Sequence, residues 1–177
     1  MIKSPKTQLF QPPGGVYKYI DDGVLKKLNA RDHEWFHEEN DLRIVIPENK
    51  VKKFIKAFDK NNPAWREAGF DREFREELVE TNFLDGGLFK SPIFQFRSRK
   101  ESGKRWSDFF DCHETLFYDI IDVRLNEKQE KHLRKKLNKN NASDYYFATE
   151  QEIRSRGFSK TENRDTLKIS EHSKHIL

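Results

Sequence analysis

The spacing of apolar residues in the first third of the chain predicts one amphipathic helix and three short strands. Over residues 49–60, apolar side chains recur every three or four positions, which places them on one side of a helix. They are Val51, Phe54, Ile55 and Phe58. β-Prone residues predict strands at 7–10 and 15–20, on the two sides of a Pro-Pro-Gly-Gly turn. The apolar run at 42–46 predicts the third strand.

A β-rich block follows in the middle of the chain. Aromatic and β-branched residues predict a hairpin between residues 91–100 and residues 105–112, with its turn at 101–104. Residues 115–124 predict a long central strand that follows this hairpin.

The first arm of the hairpin carries aromatic and basic side chains in alternation. Phe94 and Phe96 would share one face and Arg97 and Arg99 the other, because successive side chains of a strand point to opposite faces. The aromatic face then packs in the core, while the arginine face meets solvent or an anionic ligand. Trp106 on the second arm would supply an aromatic ring for stacking a base. The alternative is a half-buried strand with a solvated outer face.

The last third of the chain predicts helices at residues 126–138, 150–156 and 170–177, with a short strand at 145–148. Strands and helices are interspersed along the whole sequence. This order predicts the α+β class, with a mixed β-sheet between helices in an α/β/α sandwich.

Residues 71–81 predict a short acidic helix, because Asp71 is a good N-cap and no helix-breaking residue follows it. Phe74 and Leu78 form an apolar stripe that can dock into a core. Four glutamates recur at helical spacing and fall on one face. They are Glu73, Glu76, Glu77 and Glu80.

Clustered carboxylates repel each other on a helix face, so a hard divalent cation such as Mg²⁺ would stabilise them. The commoner outcome for such a run is a solvated acidic face, which Arg72 and Arg75 would partly offset. The spacing of the glutamates alone leaves both interpretations open.

The composition narrows the classes of protein. A chain of 177 residues with 15 phenylalanines can bury one core, although 36% of its residues are charged. The net charge of +4 suits a small anionic ligand and is too low to indicate duplex nucleic acid. The single cysteine, Cys112, excludes an internal disulfide and fits a reducing cytoplasm. We find neither a signal peptide nor an apolar run that could span a bilayer.

Two short motifs resemble the box that defines Nudix domains. Residues 72–77, Arg-Glu-Phe-Arg-Glu-Glu, resemble the centre of that box, and Pro13-Gly14-Gly15 resembles its opening. The usual box is compact, whereas residues 16–71 separate the two motifs here. Val79 stands where a small residue is usual, and the glutamate expected between the two motifs has no clear counterpart. The nearest substitutes are Asp21, Asp22 and Glu67.

A box split in this way resembles the SMODS-associated Nudix domain, as do FQPPGGVYKY near the start and ISEHSKHIL at the end. The resemblance implies one Nudix-like domain over residues 1–177 with a long insertion at about 16–71. It also implies a role in bacterial anti-phage systems of the CBASS type, which are built around cyclic-oligonucleotide signalling. We therefore expect a nucleotide or cyclic oligonucleotide as the ligand, with a homo-oligomer among the expected forms.

The resemblance implies roles for particular residues. Glu73, Glu76 and Glu77 would hold Mg²⁺ or Mn²⁺, and Arg72 would orient the helix that carries them. The acidic side chains would lie beside the diglycine in a shared pocket. The expected ligand contacts are Gly14, Gly15, Arg97 and Arg99 for phosphates and Trp106 for a base.

Two functions of different classes remain open. The chain is either a binding domain that senses a cyclic oligonucleotide, or a pyrophosphohydrolase of a nucleoside diphosphate derivative. In the second case the metal ion would polarise the phosphate and lower the pKa of an attacking water. The long insertion and Val79 weigh against an ordinary hydrolase.

Members of the resembled family often carry two transmembrane helices ahead of the domain. This sequence contains none, so we expect either a soluble stand-alone form or a membrane-spanning part outside this sequence. The expected location is the cytoplasm, with attachment to the inner membrane in the second case.

The string His33-Glu34-Trp35-Phe36-His37 matches the H-E-x-x-H motif of zinc proteases. That chemistry needs a long helix and a third ligand, for which His113 is the candidate. The string lies in a short polar segment, so two surface histidines beside a packed Trp-Phe pair is the alternative.

Overall fold

The computed structural model of the protein describes residues 1–33, 40–108, 110–137, 144–159, 164–165 and 167–177. The chain separates into two compact units, one made of Met1–Gly14 with Asp71–Leu177 and the other of Gly15–Phe70. The single Nudix-like domain with an insertion at about 16–71 stays a prediction. Residues 34–37 of the H-E-x-x-H string lie outside the described residues.

The larger unit begins with a short antiparallel pair, β1 (Ile2–Lys3) and β2 (Phe10–Gln11). Phe10 is buried and forms a parallel bridge with Ile169, another buried residue near the end of the chain. The two ends of this unit are therefore in direct contact.

The smaller unit, Gly15–Phe70, is built around the buried Trp65. Its elements are α1 (Gly23–Lys27), β3 (Arg31–Asp32), β4 (Ile44–Val45), a 3₁₀ turn (Glu48–Lys50) and α2 (Val51–Asp59). Strands β3 and β4 pair antiparallel. The ring of Phe54 meets Trp65 at 6.3 Å between centroids, and the Arg66 guanidinium lies 3.7 Å over the Phe58 ring. The amphipathic helix predicted at 49–60 is thus confirmed.

The acidic segment of the larger unit is not one continuous α-helix. It begins as α3 (Asp71–Phe74) and continues as a π-helix (Arg75–Val79), in which the Glu80 N–H donates to the Arg75 carbonyl at 2.8 Å. The prediction of an α-helix over 71–81 is therefore wrong after Phe74. Buried apolar residues four positions apart, here Phe74 and Leu78, fit the wider π turn as well as an α turn.

Phe74 and Leu78 belong to the core cluster of the larger unit, together with Leu84 and Phe89. The Phe74 ring meets Phe94 nearly edge-on, at 5.5 Å between centroids. Burial of these side chains fixes the acidic segment against the β-strands that follow.

The long strand β5 (Ile93–Glu101) pairs antiparallel with β8 (Phe117–Arg124), and a shorter hairpin of β6 (Arg105–Ser107) and β7 (Cys112–Glu114) lies between them in sequence. The predicted hairpin between 91–100 and 105–112 is therefore wrong. Strand propensity indicates where the strands are but does not determine which strands pair with each other.

A β-bulge interrupts the β5–β8 pairing between Phe96 and Ser98. Arg99 lies opposite Asp119, whereas Arg97 falls in the bulge and bonds Asp122. Because Asp119 and Asp122 are three positions apart on β8, they point to opposite faces. The prediction that Arg97 and Arg99 share a face is wrong, since the bulge breaks the alternation.

The C-terminal part contains α4 (Glu127–Leu137), α5 (Glu150–Arg154), β9 (Phe158–Ser159), β10 (Arg164–Asp165) and a 3₁₀ helix (Glu171–Ile176). Thr149 caps α5 through a capping box with Glu152. Strands β9 and β10 pair antiparallel.

These elements confirm the α+β class. Within the described parts of the chain the strands form five two-stranded antiparallel sheets, joined by a few isolated bridges. The α/β/α sandwich with a mixed sheet stays a prediction. No helix among the described residues is both long enough and apolar enough to cross a membrane.

Candidate functional site

The predicted acidic segment and the N-terminal turn meet in the larger unit. The backbone N–H of Gly14 donates a hydrogen bond to the Glu77 carboxylate, with 2.6 Å between N and Oε2. Gly14 has φ +142°, a backbone conformation that favours glycine, and a Cβ here would meet open space. The expected proximity of the acidic side chains to the diglycine is confirmed for this pair. Gly15 belongs to the other compact unit.

Arg72 holds the other two glutamates of the predicted set. Its Nη1 donates to Glu73 Oε1 at 2.6 Å and to Glu76 Oε2 at 3.2 Å. The side chains of Arg72 and Glu73 are each 24% exposed, whereas that of Glu76 is 48% exposed. Arg72 therefore orients carboxylates of the acidic segment, although its catalytic role stays a prediction.

The Glu77 carboxyl has an altered acidity. Burial raises its pKa from 4.5 to about 7, with further increases from the charges of Glu73 and Glu76, while the Gly14 N–H opposes the shift. Glu77 thus exchanges its proton near neutral pH. Such a carboxyl can accept or donate a proton during a reaction, or switch its charge when a ligand arrives.

The carboxylates of this segment suit a hard divalent cation by their chemistry. The mutual repulsion of Glu73, Glu76 and Glu77 is the kind of strain that Mg²⁺ or Mn²⁺ relieves. Across the described ranges, however, no three His, Cys, Asp or Glu side chains are already arranged as ligands. A metal ion would therefore have to draw Glu73 and Glu76 away from Arg72.

Two further contacts hold this site together. The Tyr145 hydroxyl donates to the Glu77 carbonyl at 3.3 Å, and the Tyr145 ring stacks on Phe83 at 4.1 Å between centroids. Lys136 lies 5.2 Å from the centroid of the Phe83 ring. The sequence patterns did not assign these residues to the site; the aromatic run Tyr145-Tyr146-Phe147 was the signal available.

An apolar cavity of about 220 Å³ adjoins the acidic segment. Pro13, next to Gly14, forms part of its wall. So do Phe74 and Leu78, which precede and follow Glu77 in the acidic segment. Its aromatic wall residues are Phe74, Phe83, Phe89, Tyr146 and Phe147. The cavity is therefore lined mainly by aromatic and aliphatic side chains of the larger unit, and two of its lining residues, Pro13 and Leu78, neighbour Gly14 and Glu77 in sequence.

The predicted arginines are already paired within the β5–β8 ribbon. Arg99 binds Asp119 through two hydrogen bonds, of 2.6 Å and 2.9 Å. Arg97 binds Asp122 at 2.6 Å and also donates to the Ile176 carbonyl at 3.0 Å. A phosphate would compete with these carboxylates, so the predicted role of both arginines in ligand binding gains no support from their contacts.

Trp106 lies on β6 opposite His113 on β7, with ring centroids 5.1 Å apart and the planes nearly perpendicular. The Trp106 residue is 53% exposed. It is accessible for stacking, and its role as a base platform stays a prediction.

The hydrogen bond between Gly14 and Glu77 joins the two motifs that resemble the Nudix box, within an α+β fold. The chain belongs to the family of the SMODS-associated NUDIX domain, whose model matches residues 1–177. Neither a curated protein nor a solved structure matches the chain.

Proposed function

We propose that the chain binds a cyclic oligonucleotide second messenger and serves as the sensing part of a bacterial anti-phage system of the CBASS type. The hydrogen bond between Gly14 and Glu77 is the observation that carries this proposal. It joins Gly14, whose N–H could donate to a phosphate oxygen, to Glu77, one of three glutamates suited to a phosphate-bound cation. Membership in the family of the SMODS-associated NUDIX domain supports this proposal.

Glu73, Glu76 and Glu77 would hold Mg²⁺ or Mn²⁺ in the bound state. When bound, such an ion would neutralise part of the phosphate charge. Because Glu77 already accepts the Gly14 N–H, a ligand phosphate reaches that N–H only when Glu77 turns away or binds the cation. The net charge of +4 favours an anionic ligand.

The wider setting follows from the same proposal. We place the protein in the bacterial cytoplasm, either alone or joined to a membrane-spanning part. Homo-oligomerisation upon ligand binding would give the sensor an output.

A calorimetric titration with cyclic di- and trinucleotides, with and without Mg²⁺, tests the proposal. The wild type should release or absorb heat with at least one of them, and Glu77→Ala should weaken that ligand at least tenfold. Glu150→Ala is the matched control, since Glu150 is an exposed glutamate paired with Arg154 on α5. Absence of heat from every cyclic nucleotide would contradict the proposal.

The second candidate function is a metal-dependent pyrophosphohydrolase of a nucleoside diphosphate derivative. The position of Glu77 beside the Gly14 N–H and on the same segment as Glu73 and Glu76 favours it, because a metal ion held by these carboxylates would lower the pKa of an attacking water. Phosphate release in the presence of Mn²⁺, compared between the wild type and Glu76→Gln, tests this candidate. Activity that is unchanged by Glu76→Gln would remove the mechanism.

A further inference from the structure

The C-terminal 3₁₀ helix, Glu171–Ile176, begins next to strand β2. The Phe10 N–H donates to the Lys168 carbonyl at 2.7 Å, and the Ser170 N–H donates to the Phe10 carbonyl at 2.8 Å. Because Phe10 also pairs with β1, it lies between two partners. The two motifs near the ends of the chain, FQPPGGVYKY and ISEHSKHIL, therefore form a bridge at their first residues.

The link from Phe10 to Gly14 is short and stiff. Only Gln11, Pro12 and Pro13 separate the two residues. The ring of each proline fixes its φ angle, so the chain between Phe10 and Gly14 has few free torsions. A displacement of Phe10 is therefore passed on to the backbone N–H of Gly14.

Side chains of the β5–β8 ribbon hold the C-terminal helix. The Tyr118 hydroxyl lies 2.7 Å from His172 Nδ1, and the Tyr118 ring stacks on His175 with 4.3 Å between centroids. Residues three positions apart lie on the same side of a 3₁₀ helix, so one tyrosine contacts both histidines. Desolvation raises the pKa of Tyr118, so its hydroxyl keeps its proton. Arg97 donates to the Ile176 carbonyl at 3.0 Å. We call Tyr118, His172 and His175 the histidine clasp.

The histidine clasp lies among charged groups, most of them positive. They are Lys100 of β5, Arg105 of β6, Glu114 of β7, Glu171 and Lys174 of the helix itself, and Arg156 just after α5. Desolvation lowers the pKa of both histidines, and the charges of Arg105 at His172 and of Lys174 at His175 lower it further. Protonation of both rings is therefore unfavourable while the helix is docked, and undocking into water relieves it.

We propose that the histidine clasp holds the C-terminal helix docked at neutral pH and releases it when His172 and His175 are protonated. Release removes one of the two partners of Phe10 and loosens the turn that carries Gly14. The inference rests on the proposed function and adds a proton-driven control of the same site. In mild acid the Gly14 N–H loses its fixed position, and the affinity for a ligand phosphate falls.

Amide hydrogen exchange tests the release without a ligand. The reporters are the N–H groups of Phe10 and Ser170, whose hydrogen bonds break when the helix leaves, and the amides of the β5–β8 pairing report global unfolding. Between pH 7.5 and pH 5.5, after correction for the intrinsic exchange rate, protection of the reporters should fall roughly threefold or more beyond that of the β5–β8 amides. Reporters that follow the β5–β8 amides at both pH values would overturn the inference.

Two substitutions assign the effect to the histidines. His172→Asn keeps a polar atom near the position of Nδ1, and His175→Gln keeps a planar group that can stack on the tyrosine. The double variant should lose the pH dependence of the two reporters. The matched control His113→Gln, at a histidine of β7 that packs on a tryptophan, should keep it. A folded double variant with the pH dependence of the wild type would overturn the inference, and the wild-type measurement decides alone if the double variant does not fold.

The Gly14 resonance tests whether the release reaches the site. Glu77→Gln is the background for this measurement, because it removes the carboxyl that titrates near pH 7. The Gly14 amide should shift as pH falls below 6.5, and the shift should vanish when both histidines are also replaced. A Gly14 resonance that stays constant would overturn the control of the site. Since no ligand is present, this failure is distinct from an absence of cyclic-nucleotide binding, which would contradict the proposed function instead.

Discussion

Gly14 and Glu77 are 63 residues apart in sequence, yet the Gly14 amide lies 2.6 Å from the Glu77 carboxylate. This contact joins the turn that contains Gly14 to the acidic segment, although residues 15–70 lie between them in sequence. The Glu77 carboxyl, whose pKa is about 7, therefore accepts a hydrogen bond from the backbone N–H that is proposed to bind a ligand phosphate.

Glu77 should make the stability of the chain depend on pH. Its folded-state pKa is about 7 against 4.5 unfolded, so its contribution is fully present below about pH 4.5 and is lost as pH rises through 7. Glu77→Gln keeps an acceptor for the Gly14 N–H and removes the titration. Because solvent screens this half-buried carboxyl, we expect the variant to gain about 1 kcal/mol over the wild type between pH 5 and pH 8. Urea unfolding at the two pH values measures the gain, and equal pH dependence of both proteins would contradict it.

Gly14→Ala should destabilise the chain and weaken ligand binding. The φ of +142° is strained for any residue with a Cβ, and we expect a loss of about 1–2 kcal/mol in the free energy of unfolding. Gly103→Ala is the control, since Gly103 has φ +71° and likewise open space around a Cβ. Both variants should lose stability by urea unfolding, but only Gly14→Ala should lose affinity for the cyclic nucleotide in calorimetry. Equal affinities for the two variants would argue against a binding role for the Gly14 amide.

The two arginines of β5 should differ in their effect on stability. The Asp119 side chain is only 10% exposed, so Arg99→Ala leaves a mostly buried carboxylate without its two hydrogen bonds. We expect a loss of about 2 kcal/mol. The side chains of Arg97 and Asp122 are 51% and 37% exposed, and Arg97→Ala should cost less than about 1 kcal/mol. Urea unfolding of both variants measures the difference in stability. A larger loss for Arg97→Ala than for Arg99→Ala would contradict the prediction that the more buried ion pair contributes more.

His172 should weaken the fold in mild acid. Burial, helped by the nearby charge of Arg105, lowers its pKa below 6.5, and its Nδ1 lies 2.7 Å from the Tyr118 hydroxyl. The unfolded chain then binds the proton more readily, so stability is present above about pH 6.5 and is lost as pH falls below it. Denaturant unfolding at pH 7.5 and pH 5.5 should show a smaller acid-induced loss for His172→Gln than for the wild type. An identical loss would contradict the lowered pKa.

Much of the site was visible in the sequence because it depends on short motifs. The motifs at residues 72–77 and 13–15 can be read directly from the sequence. The family resemblance predicts that they lie close together. Spacing alone did not show that the acidic segment leaves the α-helix after Phe74, because the buried pair Phe74 and Leu78 suits both helix types.

Long-range relationships were the part that sequence analysis could not supply. Strand β5 pairs with the distant β8 and not with the adjacent β6, and Phe94 of β5 and Val123 of β8 both pack against the core cluster that contains Phe74. Local strand propensity does not specify such a pairing. The bulge after Phe96 is likewise invisible in an alternating pattern, yet it separates Arg97 from Arg99. The cavity escaped notice because its walls come from segments as distant as Pro13 and Phe147.

Nuclear magnetic resonance of the Gly14 amide tests the central claim most directly. On a ¹⁵N-labelled chain, the Gly14 resonance should titrate with a midpoint near pH 7, because Glu77 accepts its hydrogen bond. A saturating cyclic nucleotide that binds in calorimetry should shift this resonance and abolish the titration. A ligand that binds while the Gly14 resonance and its titration stay unchanged would contradict the account, because the phosphate would then lie elsewhere.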